Sequence, residues 1–297
     1  MSQSAAAQKK STDSSLGWLK GGLVFAFLLP VFLSLGLANF TGVDHDHRVW
    51  QEWVDQFSET TAFGVGVNYD CAIRDRQKLD AYLVRLRSVT EAQYKRFSLV
   101  EKKAFLANAY NAYTVALILA YYPVKTIKTV GGDDQAWKIP FVKLLGQTIT
   151  LDQLENEWIR PWFKDQNMHF ALVCAAKGCP ALRWYSARSF NRQARENAVS
   201  FLLDTEKNYF VEKEKKWFIS PIFEWYETDF AKDRSQMPQV LTSYLPVKAL
   251  QGGEKAGLPI AYTNYDWDLN TCLKRELITE ETFHEGAQIG CTKRCLQ

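Results

Sequence analysis

Residues 169 to 183 read HFALVCAAKGCPALR, placing one histidine and two cysteines within eleven residues of a chain that has four histidines and six cysteines. A nucleophilic thiol needs its pKa drawn down from about 8.5 by a base or a positive field. His169 beside Cys174 or Cys179 is therefore the arrangement that thiol acyl transfer would use, with Glu155 or an asparagine orienting the imidazole. Spacing works against the simplest version. Phe170 to Val173 is a short apolar run bounded by turn residues, which predicts a central strand. Five extended residues set His169 and Cys174 about 17 Å apart, on opposite faces. Cys179 reaches His169 only if the chain doubles back through AAKG, a turn that Gly178 permits.

The elements that position these groups follow from periodicity. Ser98 and Glu101 have capping-box spacing at the start of SLVEKKAFLANAYNAYTVALILAYYP, and Pro123 stops the helix. The run is apolar on nearly every side after Ala104, which predicts a helix buried at the centre of its domain. Asn108 and Asn111, three apart, share a face of it. A buried unpaired amide costs about 1–3 kcal/mol, so each must be satisfied, either by clamping a neighbouring loop or by lining a polar pocket. Apolar positions 50, 53, 54 and 57 predict a preceding helix, and a second is expected over 73–89. FGVGVNYD reads as extended. KLLGQTIT and NYFVEKEKKWFIS read as hairpins, the first with Gly146 at its tip. LDQLENEWIRPWF, SARSFNRQARENAVSFLLD, PIFEWYETDFA and MPQVLTSYLP read as helices. The fold class is α+β: a central buried helix packed on a small, mostly antiparallel sheet, with additional helices.

Before this body the composition changes. Residues 1–22 are polar and basic, and 23–38, LVFAFLLPVFLSLGLA, carry no charge. Lysines on the leading side direct the downstream chain across the membrane. Gly36-Leu37-Ala38 fits signal-peptide cleavage, while counting outward to Leu16 and Phe40 gives a length able to span a bilayer. Both readings export the protein, to a periplasmic location or as a membrane-anchored domain on the far side, with the membrane a partner if the segment stays uncleaved. Residues 39–48 read as a linker, 49–270 as one globular domain and 271–297 as a cysteine-containing tail. Asp44, His45, Asp46 and His47 resemble a ligand cluster, but consecutive residues on a short loop rarely face one ion. Cys291 and Cys295 lack a second ligand pair, so disulfide is preferred to zinc, and export favours oxidised cysteines.

Other classes are set aside. A net charge of +3, with bases and acids interleaved, gives no nucleic-acid footprint. The glycine pair 131–132 lacks the dinucleotide and phosphate-loop patterns, and no G-x-S-x-G elbow occurs. No cofactor and no metal site is expected.

FLANAYNAYT, WKIPFVKLLGQTITLDQLE, HFALVCAAKGCPALR and YDWDLN, in that order, resemble the family known as domain of unknown function 547, over about residues 66 to 270. The resemblance implies recurrent polar positions at Asn108, Asn111, Glu155, His169, Cys174, Cys179 and Arg183, and leaves Cys71, Cys272, Cys291 and Cys295 to pair outside the site. It also implies a fold similar to the papain and transglutaminase group. There the nucleophilic cysteine starts the central helix; this helix carries Asn108 and Asn111 in mid-run instead. Three readings remain: a thiol hydrolase or acyl-transferase using Cys174 or Cys179, His169 and Glu155; a Cys174–Cys179 disulfide beside a site that binds an unknown ligand or peptide without turnover, with Asn108, Asn111, Cys179 and Arg183 contributing; or a purely structural cluster.

Overall fold

The structure is a computed structural model and describes residues 42–61, 64–245 and 259–272. The basic and apolar segments expected over 1–38, and Cys291 and Cys295, lie outside the described residues.

Helix α1 (Arg48–Phe57) buries Trp50, Trp53, Val54 and Phe57, the face set by the 50, 53, 54, 57 spacing. The DHDH stretch before it is built into the fold, and its side chains diverge. Asp44 accepts from the Arg48 amide, Asp46 holds Ser186 and Arg188, His45 lies 3.5 Å from Glu101, and buried His47 meets the Tyr82 hydroxyl at 2.7 Å.

Strands β1 (Ser58–Thr61) and β2 (Gly64–Val67) pair antiparallel. A Cβ on Gly66 would come within 2.9 Å of the Cys272 backbone, so only glycine admits that chain. Cys71 and Cys272 are both disulfide-bonded. The helix expected over 73–89 is divided into α2 (Tyr69–Arg74) and α3 (Gln77–Ser88), followed by the short α4 (Glu91–Lys95).

Helix α5 (Leu99–Tyr121) opens on the expected capping box: Glu101 accepts from the Ser98 amide at 2.6 Å, and the Glu101 amide donates to Ser98 Oγ. Every residue from Lys103 to Leu119 is buried. The helix is long and apolar enough to cross a bilayer but is enclosed by its own fold. Its one buried lysine, Lys103, is neutralised by Asp165 at 2.6 Å, as a buried charge requires.

Strands β3 (Val142–Leu144) and β4 (Gln147–Ile149) form the expected hairpin. Leu145 and Gly146 both have positive φ, 52° and 80°, as a two-residue primed turn demands. Tyr113 of α5 donates to the Lys143 carbonyl and ties the hairpin to the central helix. Beyond it come α6 (Leu151–Gln153), a π-helical stretch over Leu154–Ile159, α7 (Arg160–Phe163), α8 (Met168–Ala171) and α9 (Phe190–Leu202). Strands β5 (Tyr209–Val211) and β6 (Lys216–Ile219) make the second expected hairpin. After α10 (Ile222–Trp225), α11 (Glu227–Phe230) and α12 (Met237–Tyr244), strand β7 (Ile260–Tyr262) joins β6 in parallel.

The class is α+β, with the strands divided among three small sheets. One apolar cluster surrounds α5; a second joins Phe170, Phe201, Phe223, Phe230 and Tyr244. α8 stands between them, with Ala171 in the first and Phe170 in the second.

The strand expected over Phe170–Val173 is not formed. Met168–Ala171 makes one helical turn, and extended backbone begins at Leu172. An apolar run of four does not by itself separate a buried strand from a buried helical turn. What selects the outcome lies sixty residues away. Asn111 Nδ2 donates to the Ala171 carbonyl at 2.8 Å, and its Oδ1 accepts from the Val173 amide at 2.9 Å. Asn108 does the same to Tyr185, donating to its carbonyl and accepting from its amide. Both asparagines are fully buried. Asn197 of α9 adds a third such amide, donating to the Phe170 and Ala181 carbonyls.

Asn111→Leu keeps the volume but strands one buried N–H and one buried C=O. We expect a loss of about 2–4 kcal/mol from these two groups together, read as a lower urea midpoint with an unchanged slope. A loss below about 1 kcal/mol would show that the clamp does not hold this segment.

Candidate functional site

The helix expected over LDQLENEWIRPWF is interrupted. Its central turn is π-helical, Leu154–Ile159; such wide turns are uncommon and recur at functional sites. Glu155 sits in it, 8% exposed, and accepts a 2.6 Å hydrogen bond from the Tyr226 hydroxyl. Burial first, and then the Glu155 carboxylate, hold the phenols of Tyr110 and Tyr226 above the ordinary tyrosine range. Tyr265 is pushed the same way, by burial and then Glu155. These three phenols keep their protons and serve as donors.

His169 lies in α8. Its Nε2 is 2.8 Å from Asp229 Oδ2. A carboxylate only accepts, so that nitrogen carries the proton. Arg160 Nε donates to the same oxygen at 2.6 Å. The hydrogen bond from His169, with that from Arg160, holds the Asp229 carboxyl well below the usual carboxylate range. The imidazole is packed against Tyr226, ring centroids 4.2 Å apart, and Phe230 at 5.1 Å. Arg160 also lies over the Tyr226 ring at 4.8 Å.

Cys174 and Cys179 are joined by a disulfide, Cα atoms 6.3 Å apart. The fold-back turns at Ala175, φ 61°, and the backbone then zips onto a distant segment. Lys177 and Gly178 amides donate to the Asp268 and Asp266 carbonyls, and the Asn270 amide donates to the Ala175 carbonyl, all at 2.8–2.9 Å. A Cβ on Gly178 would meet the Tyr265 ring at 2.9 Å, so the glycine is what lets YDWDLN lie this close. The Tyr265 hydroxyl donates to Cys179 Sγ at 3.1 Å and is 3.3 Å from Cys174 Sγ.

The fully extended geometry that would separate His169 from Cys174 therefore does not apply, because Met168–Ala171 is a helical turn and the chain is extended only from Leu172. His169, Cys174, Cys179 and Glu155 all line one cavity of about 310 Å³. Its walls include Trp137, Trp225, Tyr265 and Trp267. Asn108 and Asn111 are not among its lining residues; their amides are spent on backbone. Arg183 lies elsewhere as well, reaching Ser200 Oγ at 3.5 Å.

Sequence spacing did not single out Asp229, Tyr226, Trp225 or Trp267. The first three come from PIFEWYETDFA, expected as one helix but broken at Tyr226 between α10 and α11. That break has no local punctuation of glycine or proline. YDWDLN did stand out as a motif, but its contact with the cysteine loop is made of backbone hydrogen bonds, which leave no trace in residue types.

Residues 94–202 match the model of a family described as "Protein of unknown function, DUF547". The matched stretch holds α5, both clamping asparagines, Glu155, His169, both loop cysteines and Arg183. It ends before Trp225, Tyr226, Asp229 and Tyr265. No curated protein and no solved structure matches the chain.

Asp229→Asn tests the His169 arrangement through pH. A carboxyl depressed in the folded state contributes stability above its ordinary value of 3.8 and loses it as pH falls further. The variant should be less stable than the parent at neutral pH, with the gap narrowing on acidification below that value. An equal gap at pH 7 and pH 2, followed by chemical denaturation, would mean that the carboxylate charge plays no part.

Proposed function

For a chain whose residues 94–202 carry the DUF547 sequence, we propose an exported ligand-binding domain without turnover in its oxidised form, its ligand seated in the aromatic cavity beside the disulfide loop. The observation that carries this reading is the sulfur chemistry. Both cysteines of the cavity are bonded to each other, and a nucleophile must be a thiolate. Tyr265 donates to Cys179 Sγ and belongs to the cavity wall, so the loop supports a binding surface. Small-molecule sites are typically of this kind: about 300–1,000 Å³, mostly apolar and aromatic, with a few polar groups. Export rests on the uncharged 23–38 run behind its lysines, and oxidised cysteines suit a compartment outside the cytosol.

One observation favours a second reading. His169, Glu155 and both cysteines share the cavity. Reduction would free two thiols in a cavity that the imidazole also lines, the composition that acyl transfer uses. Asp229 holds Nε2 of that imidazole, so the free nitrogen would have to serve.

Both readings meet in one experiment. Tryptophan fluorescence of the purified, oxidised protein is followed while a panel of small cationic, neutral, sugar and anionic compounds is added, and activated esters are offered with and without reductant. Saturable quenching lost in Trp225→Leu, with no ester turnover, is the expected result. Ester turnover that appears only after reduction and disappears in His169→Ala would establish the second reading in place of the first.

A further inference from the structure

We infer that the aromatic cavity is built for an organic cation, a quaternary or substituted ammonium group, with Glu155 as its counter-ion; this rests on the ligand-binding reading above. The starting observation is an electrostatic imbalance. Glu155 is more than nine-tenths buried and lines the cavity. Among the described residues, no Lys, Arg or His nitrogen lies within 4.0 Å of it. Its hydrogen-bond partners are the neutral hydroxyls of Tyr226 and Tyr110. Arg160 feels the Glu155 charge, but it gives its Nε to Asp229. Buried charges are ordinarily paired or bound to a cation, and here the protein leaves that place open.

The other cavity charges lean the same way. Asp134 and Asp152 join Glu155 on the lining, against the single ammonium of Lys138. Asp134 has a partner in Lys128 at 3.4 Å; Asp152 accepts from the neutral Asn156 amide at 2.8 Å but is exposed, so Glu155 is the buried carboxylate of the lining without a cation.

Ring geometry distinguishes a cation from a sugar. A sugar ring stacks on a flat platform, whereas a cation is held by several ring faces turned toward one point. Trp225 and Trp267 lie 25° apart in plane with centroids 5.7 Å apart. Tyr265 is inclined 56° to the first and 55° to the second. Trp137 stands at 78° to Trp267. The rings that line the cavity therefore do not form one flat platform. The protein already places its own cations over two rings of the lining, Lys128 over Trp267 and Arg160 over Tyr226, which leaves Trp225, Tyr265 and Trp137 for a ligand.

Choline chloride and its uncharged carbon isostere, with tert-butyl in place of trimethylammonium, separate charge from shape. Binding to the full oxidised protein is measured by calorimetry and by tryptophan fluorescence, with glucose and trimethylacetate as sugar and anion controls. Choline should bind at least about tenfold more tightly than its isostere, since desolvated cation–π contact and a buried carboxylate both act on the charge. Glu155→Gln, which keeps an acceptor for Tyr226, should reduce that preference at least several-fold, leaving the cation–π part, while the isostere's affinity is unchanged. Trp225 is 47% exposed, so Trp225→Leu leaves the core intact and should also weaken choline more than the isostere. Equal binding of choline and isostere, or binding of glucose or trimethylacetate in preference to choline, would overturn the cation assignment and leave the ligand-binding reading standing. Binding of none of the four would overturn both.

Discussion

The cavity depends on a backbone zipper between two segments about ninety residues apart in sequence. Amides and carbonyls of Ala175, Lys177 and Gly178 pair with those of Asp266, Asp268 and Asn270. The disulfide closes the first segment into a loop. Gly178 lets the Tyr265 ring lie against that loop. Without the zipper, Tyr265 and Trp267 have no reason to stand opposite Glu155. With it, a single constraint supplies both a covalent floor and an aromatic wall. The clamp by Asn111 on Ala171 and Val173 acts one step upstream, because it sets where the chain leaves the helical turn carrying His169 and enters the cysteine loop.

Electrostatics then sort the polar groups of the region into two sets. His169, Asp229 and Arg160 satisfy one another: one shared carboxylate oxygen accepts from both bases. That set is closed, and its role is to fix the imidazole and the Tyr226 ring packed on it. Glu155 is the open member. Three buried phenols feel its charge and keep their protons, so the carboxylate is surrounded by dipoles without a balancing cation. A lone ion held this way raises the cost of folding, and a ligand of opposite charge recovers it on binding. In the proposed binding reading, that difference separates the structural polar groups from the one that would recognise a ligand.

Much of this is legible in the residues, and the failures have a common cause. Local signals hold: the capping box at Ser98 and Glu101, the apolar circumference of α5, and the turn at Gly146 each depend on groups within a few residues of one another. The need to satisfy Asn108 and Asn111 is also legible, though not the groups that satisfy them. The segment Phe170–Val173 reads as a strand and folds otherwise because its conformation is imposed by Asn111, sixty residues earlier. A four-residue apolar run has no preference strong enough to resist. The same holds for Asp229, invisible as a partner of His169 until α11 is folded beside α8. On a strand His169 and Cys174 would stand about 17 Å apart; the helical turn over Met168–Ala171 removes that spacing, and both residues line one cavity. Backbone-mediated contacts such as the 175–178 zipper carry no side-chain signature at all.

The central claim is that Cys174 and Cys179 form the wall of a binding cavity as a disulfide. Trypsin cleaves after Lys177, inside the loop, so the bond is visible in a peptide map. The full-length protein is purified without reductant, alkylated and digested. The account predicts that peptides 165–177 and 178–183 are recovered joined, and separate only after reduction. Recovery of the two peptides apart and alkylated at Cys174 and Cys179, without any reductant, would contradict it.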